Sequence, residues 1–323
     1  MIALTFALRP RTALATPLMG DTLFGQLCWT IRNGWNKARL EALLDGYTNG
    51  HPFLVVSDAF PAGHLPLPAL PARCWQRDDA ASAQDRKALK KKIWLPVEAL
   101  AAPLESWQQR AATSKETGLN SLSQPQPRNS LNRLTGTTGS GDGFAPYSVR
   151  QHWYDRGAVL DLHVRLDESR LGRDELHAAL VALGAAGFGK DANVGLGKFD
   201  IDTPREIPLT AHPNPDAWFT LAPCAPQGLG WNARRSFYRP FTRYGRHGDI
   251  AARMKNPFKS PLLLAATGAL LSPLQADDWA RGWVGQGLGG RDSDDSGKIS
   301  RALPQTVHQG YAPAIPVRLP EAA

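Results

Sequence analysis

The order of its periodic segments constrains the fold of this chain more than any other feature. Stretches in which every second residue is apolar predict strands, and stretches in which apolar residues recur every three or four positions predict helices. The predicted elements are a strand at 2–8, a helix from 21 to about 33, a strand at 53–57, a strand at 159–166, a helix at 175–186 and a strand from Phe199. This order is the split β-α-β arrangement of ferredoxin-like and RNA-recognition domains. Asp21 is the predicted N-cap of the first helix.

A long polar stretch separates the two halves of this pattern. Residues 76–92 are strongly charged, and residues 113–143 are rich in Ser, Thr, Gly, Asn and Gln. We therefore predict an exposed insertion over about 76–146 of an N-terminal domain that spans 1–207. Strands and loops are expected to dominate a second domain over 208–323.

The net charge of +8 is concentrated in one segment. Residues 231–259 hold eight basic residues and one acidic residue, and aromatic residues lie between them. Arginine binds phosphates and aromatic rings stack on bases, so this segment is typical of a single-stranded nucleic-acid groove. A solvated basic surface or a protein interface would have the same composition. The candidate RNA-binding residues here are Arg234, Arg235, Tyr238, Arg239 and Arg243.

Cysteine and histidine patterns argue against metal and cofactor chemistry. The three cysteines are far apart and form no C-x-x-C pair, and the eight histidines are scattered. No apolar stretch reaches the roughly 20 residues of a membrane span. We expect a cytoplasmic protein without metal, cofactor or membrane association.

A glycine-rich turn at 187–197 follows the second helix. It fails as a P-loop, because Asp191 replaces the magnesium-binding hydroxyl and the turn follows a helix instead of opening one. It also fails as a dinucleotide-binding fingerprint, because no helix begins after it. Its glycines allow a backbone to approach phosphates and present amides to them, although a flexible helix-to-strand turn is an equally good interpretation.

This turn in this position resembles the glycine-rich loop of the RAMP superfamily of CRISPR proteins. Further segments are similar to the subunit-4 family of type III-A Csm effector complexes. They are 20–25 (GDTLFG), 54–61 (LVVSDAFP), 65–68 (LPLP), 129–136 (NSLNRLTG), 256–261 (NPFKSP) and 310–316 (GYAPAIP). Together they extend over nearly the whole chain.

The resemblance implies an α+β fold with two ferredoxin-like (RRM-like) βαββαβ domains in tandem and a β-hairpin thumb in the insertion. It implies a non-catalytic subunit that caps the 5′ repeat-derived handle of the crRNA. The implied partners are the large polymerase-nuclease subunit and the backbone RAMP subunit. The implied RNA-binding residues are Gly20, Thr22, Asn132, Arg133, Gly187, Gly189, Lys190, Asn193, Gly195, Gly197 and Lys198.

The C-terminal strand adds two candidates. His308 and Tyr311 are expected to approach RNA as binding residues. Asn132 stands where many RAMP proteins have an aspartate, which argues against acid-base chemistry at that motif.

An enzymatic alternative is a RAMP endoribonuclease that processes guide precursors, with a histidine as general acid or base. His51, His64, His152 and His308 are its candidates, and none lies in a distinctive sequence motif.

Overall fold

The chain folds as a mixed α+β protein, and the α-helices of its described residues all lie before residue 187. The computed structural model describes all residues except 77–82, 120, 140–143, 208, 210, 291–296 and 322–323. The helices are α1 (Gly20–Gly34), α2 (Lys37–Leu44), α3 (Ala83–Leu89), α4 (Trp107–Arg110) and α5 (Arg173–Ala186). The strands are β1 (Ile2–Pro10), β2 (Leu54–Pro61), β3 (His64–Pro66), β4 (Trp94–Pro96), β5 (Ser121–Arg128), β6 (Tyr147–Tyr154), β7 (Leu160–Leu166), β8 (Phe199–Ile201), β9 (Ala217–Thr220), β10 (Pro240–Arg243), β11 (Leu262–Ala265), β12 (Leu270–Leu271), β13 (Trp283–Gly289) and β14 (Val307–Val317).

The N-terminal sheet has the strand order β2-β7-β1-β8, and all of its pairs are antiparallel. With α1 after β1 and α5 after β7, this is the topology of a split β-α-β unit. Apolar residues at alternate positions of β1 reach the first core, where they meet the apolar stripe of α1; examples are Phe6 on β1 and Leu27 on α1. The strand and helix order predicted for this part of the chain is therefore confirmed.

The start of α1 differs from the prediction. The helix begins at Gly20 with Met19 as its N-cap, and no side chain caps it. Asp21 lies in the first turn and is buried, with its carboxylate bound to Arg243. The N-cap prediction for Asp21 is therefore wrong, because a distant arginine takes the carboxylate that local sequence assigned to the helix amides.

The predicted insertion consists of two different parts. Residues 94–107 contribute to a second hydrophobic core, and their side chains Leu95, Leu104 and Trp107 are buried. β5 is largely exposed, and it pairs along its full length with β6, which lies beyond the predicted boundary at residue 146. The insertion therefore holds an exposed helix, α3, and an exposed β5-β6 hairpin, whereas residues 94–107 between them belong to the protein interior.

The C-terminal part is built from strands. One sheet has the order β12-β9-β14-β13, and β10 and β11 form a separate pair. In the described part of 208–323 there is no α-helix, so the second βαββαβ unit is wrong in that form. From residue 208 onward no run longer than nine residues lacks both glycine and proline. Such spacing interrupts any helix of average length, which is about 11 residues.

The two halves of the chain share their interior. The second core combines Phe60 and Leu95 with Phe219, Leu270 and Ile315. The side chain of Gln309 on β14 bonds both the N–H and the C=O of Val56, at 2.9 and 2.8 Å. No helix among the described residues is long and apolar enough to cross a membrane.

Candidate nucleic-acid interface

The glycine loop, residues 187–198, connects α5 to β8. Four glycines in it have a positive φ, between 74° and 100°. Gly187 ends α5, and Gly197 lies so close to Phe188 that a Cβ would overlap its carbonyl oxygen. Glycine is therefore required here for the shape of the loop.

The amides of this loop donate to protein atoms. Gly187 N–H donates to Leu183 O at 2.9 Å, Gly189 N–H to the Gln26 amide oxygen at 3.2 Å and Gly195 N–H to Ala192 O at 3.1 Å. Gly197 N–H donates to Ala13 O at 2.8 Å. The prediction that Gly187, Gly189, Gly195 and Gly197 bind phosphates through their amides is therefore wrong. The side chains of Lys190, Asn193 and Lys198 are exposed on the surface of the loop, so they remain candidates for RNA binding.

The connection between β1 and α1, residues 11–19, holds the glycine loop in place. Its threonine hydroxyls accept bonds from the loop, Thr16 from Lys190 N–H and Thr12 from Lys198 N–H, both at 2.9 Å. The same connection pairs with the hairpin through reciprocal backbone bonds between Leu14 and His152, at 2.9 and 2.8 Å. The connection, the glycine loop and the hairpin therefore form one continuous surface.

The β5-β6 hairpin also contacts the glycine loop directly. Arg128 at the end of β5 lies 3.4 Å from the carboxylate of Asp191. Pro125 and Pro127 on β5 cannot donate ladder hydrogen bonds, which is typical of an edge strand. On β6 the rings of Tyr147 and Trp153 are 49% and 43% exposed. We call the glycine loop, the connection 11–19 and this hairpin the loop-hairpin face.

The predicted pair Asn132 and Arg133 lies in the link between β5 and β6. The side-chain oxygen of Asn132 accepts a bond from Leu134 N–H at 2.9 Å, and its backbone pairs with Thr137. Asn132 therefore shapes a turn, whereas the Arg133 side chain is exposed. Arg11 and Arg150, which the motif analysis missed, are also exposed cations of the loop-hairpin face.

The basic segment 231–259 does not form one arginine-aromatic face. Arg235 pairs with Asp216 at 2.9 Å, and Arg243 turns inward to Asp21. Arg234, Tyr238 and Arg239 are exposed. Within this segment, Pro240–Arg243 forms strand β10.

A buried charge cluster joins this segment to α1. The carboxylate of Asp21 accepts bonds from Arg243 Nε at 2.7 Å and Nη2 at 3.0 Å. His308 Nε2 lies 3.4 Å from the same carboxylate. Burial favours a higher pKa for Asp21, but His308 and Arg243 outweigh it and lower that pKa. Burial lowers the pKa of His308 despite the nearby carboxylate.

Four predicted RNA-binding residues therefore have structural roles. Arg243 and His308 belong to the buried cluster, and Tyr311 is fully buried, with its hydroxyl donating to Tyr47 O at 2.7 Å. Gly20 is buried where a Cβ would overlap Val56 O, and its N–H donates to Asp58 at 2.7 Å. Thr22 is partly exposed beside them. Sequence reasoning missed that β14 is buried along almost its whole length, which places His308 and Tyr311 in the interior.

The histidine candidates for catalysis are dispersed. His51 is exposed, His64 bonds the carbonyl of Ala62 at 2.9 Å, and His152 lies in the hairpin. Among the residues that the structure describes, no three His, Cys, Asp or Glu side chains are grouped to hold a metal ion.

The carboxyl group of Asp58 loses its proton near neutral pH in the folded protein. Its carboxylate accepts bonds from Gly20 N–H at 2.7 Å and Thr267 Oγ1 at 2.5 Å. Burial raises the pKa of Asp58 to about 7, and the nearby Asp21 adds to this, although the two hydrogen bonds and Arg243 oppose it. The folded state therefore holds a proton that an unfolded aspartate releases near pH ~3.9.

We expect D58N to change how stability depends on pH. In the wild type, the stabilisation from protonated Asp58 is complete below pH ~4 and is lost as pH rises to about 7. Because the folded state holds at most one proton more than the unfolded state in this range, the free energy of unfolding falls by at most ~1.4 kcal/mol per pH unit. Urea unfolding at pH 5, 6, 7 and 8 should show D58N gaining on the wild type as pH rises. Parallel curves for the two proteins would contradict the assignment.

Comparisons with known proteins address the fold. No protein-family model and no curated protein sequence matches the chain. Solved structures do match. A chain of the crystal structure of a Csm1-Csm4 cassette in complex with cA4 is 16% identical, with a TM-score of 0.62 and 99% of both chains covered. A chain of the Csm1-Csm4 cassette in complex with AMPPNP is 17% identical, with a TM-score of 0.61, 98% of this chain and 99% of that chain covered.

A third match comes from a different assembly. A chain of the Csm3-Csm4 subcomplex in the type III-A CRISPR-Cas interference complex is 12% identical, with a TM-score of 0.60, 98% of this chain and 99% of that chain covered. At these identities the likeness establishes the fold. The resemblance to Csm subunits predicted from the sequence motifs is confirmed at that level.

Proposed function

We propose that this chain is the subunit-4-type RAMP component of a type III-A Csm interference complex and that it binds the 5′ handle of the crRNA without cleaving it. The observation that carries the proposal is the loop-hairpin face, where exposed cations and aromatic rings surround a glycine loop fixed by hydrogen bonds. The near-full-length fold match to chains of Csm assemblies supports it.

The mode of RNA binding follows from which groups are free. The amides of the four loop glycines are occupied, so phosphates would meet the exposed side chains of Lys190, Lys198 and Arg150. Arg11, which pairs with Asp200 at 3.3 Å on the surface, would exchange that partner for a phosphate. The exposed ring surfaces of the hairpin suit stacking by unpaired bases. Binding of this kind recognises shape and backbone, and leaves sequence reading to the base pairs of the guide.

We assign the apolar side of the basic segment to a protein partner. Tyr244 and Phe258 are 79% and 63% exposed, and Leu263 on β11 is 58% exposed. Arg246 lies over the ring of Phe258, with 5.8 Å from its guanidinium carbon to the ring centroid. Exposed aromatic residues with arginine are typical of protein interfaces. The proposed partners are the large Csm1-type subunit and the Csm3-type backbone subunit.

The proposal is tested by removing three cations from the loop-hairpin face. We expect R11M/K190M/K198M to weaken binding of a single-stranded repeat RNA about 100-fold at ~0.1 M salt, since each lost phosphate contact removes ~0.7 from the salt slope. The matched control is K87M/K90M/K91M, which removes three exposed charges elsewhere. Fluorescence anisotropy at several salt concentrations measures both quantities.

The same assay distinguishes the two functions. Unchanged affinity and slope in the triple variant would refute RNA binding at this face. Cleavage of the labelled RNA by the purified chain would refute the non-catalytic role and favour an endoribonuclease.

A further inference from the structure

A cavity of about 400 Å³ lies between the N-terminal helices and the C-terminal half, away from the loop-hairpin face. Its N-terminal wall includes Trp29 and Arg32 of α1 and Asn49, which follows α2. Its C-terminal wall includes Lys259 of the basic segment and Gln305 before β14. Sites for small molecules have volumes of about 300–1,000 Å³, so one compact ligand fits here.

Lys259 is the unusual group in this cavity. Its backbone N–H donates to Gly245 O at 2.8 Å, but its ammonium forms no hydrogen bond or ion pair with any described residue. Burial lowers the pKa of Lys259, although the thiol of Cys28 and the carboxylate of Asp21 oppose that effect. A partly buried ammonium without a partner is costly, so an anionic ligand would stabilise the site.

Neighbouring groups narrow the chemistry of that ligand. The Arg32 guanidinium carbon lies 5.2 Å from the Trp29 ring centroid, which gives the wall a planar cationic and aromatic surface. The side chains of Asn49 and Gln305 offer amide donors and acceptors to the same space. A phosphate would match the ammonium, a flat ring would match the cationic and aromatic surface, and polar ring atoms would match the two amides. A nucleotide combines these three groups.

We propose that this cavity binds one nucleotide, with its phosphate on Lys259 and its base beside Trp29. The nucleotide has two possible sources, a free nucleoside 5′-monophosphate or a residue unstacked from bound RNA. The RNA source rests on the proposed function, whereas the free source does not.

The first experiment titrates the full chain with AMP, GMP, CMP and UMP by calorimetry. We expect the wild type to bind at least one of them and K259M to bind it at least tenfold more weakly, because a charge-assisted bond is lost. K259M replaces an unpartnered ammonium with an apolar side chain and should fold. The control is K255M, an exposed lysine of the same segment, which should bind like the wild type.

The second experiment places 4-thiouridine at successive positions of a repeat RNA and maps the crosslinks. A crosslink at Trp29 or Asn49 that K259M abolishes, and K255M does not, supports the RNA source. The absence of both mononucleotide binding and such a crosslink overturns the nucleotide site. If R11M/K190M/K198M still weakens RNA binding in that case, the proposed function stands and only this inference fails.

Discussion

Replacement of Arg243 by methionine is expected to lower the free energy of unfolding by about 3–5 kcal/mol. The guanidinium is the only cation that binds the fully buried Asp21 carboxylate through two hydrogen bonds among the described residues. His308 is a weaker partner, because its Nε2 lies 3.4 Å from the carboxylate and burial lowers the pKa of the imidazole. The variant therefore leaves a buried charge without its partner, and the side-chain volume barely changes.

Urea unfolding at pH 7 measures this loss, and R239M is the matched control. Arg239 lies four residues earlier in the same segment and is exposed, so its loss should change stability by less than about 0.5 kcal/mol. The double variant D21N/R243M should recover part of the loss, since it removes the orphaned charge. Equal stability of R243M and R239M would show that the Asp21 pair contributes nothing.

The arginines of the basic segment show where sequence reasoning ends. Arg235, Arg239 and Arg243 are evenly spaced and were all predicted to bind RNA, but each meets a different environment. Arg235 binds Asp216 and Arg243 binds Asp21, which is 222 positions away in the chain. Composition gives the charge of a segment, whereas the location of its carboxylate partners depends on the tertiary fold.

The N-terminal sheet was predictable because its signals are local. Alternation in β1 and β7 and helical spacing in α1 and α5 agree with the final structure. The C-terminal sheet was predicted only as strands, and the tandem domain came from the family resemblance. Burial of His308 and Tyr311 follows from β14 packing against β2 and Tyr47, a long-range contact that no local pattern reports.

The glycine loop was located correctly, but the role of its glycines was not. Positive φ values and close contacts explain why glycine stands at Gly187 and Gly197. Sequence could not show that Thr12, Thr16 and Gln26 accept the loop amides, because these acceptors precede the loop by more than 160 positions. The binding role consequently moves from backbone to side chains.

Replacement of Gly197 by alanine is expected to lower the free energy of unfolding by about 4 kcal/mol or more. A Cβ there would overlap the carbonyl oxygen of Phe188 and approach its nitrogen to 2.6 Å. The φ of 74° adds about 1–2 kcal/mol of strain for a non-glycine residue. Since Phe188 is a fully buried member of the first core, it has little freedom to move away.

The control for this variant is G195A in the same loop. Gly195 has a φ of 94°, but an added Cβ would meet no atom within 4 Å. G195A should therefore show the backbone strain alone, and the difference between the two variants isolates the close approach to Phe188. Urea unfolding and RNA anisotropy measured on both should show that G197A loses more stability and more affinity, because the displaced loop carries Lys190 and Lys198. Equal losses in the two variants would mean that the loop accommodates a Cβ at Gly197, and the close packing would then not be what fixes the two lysines.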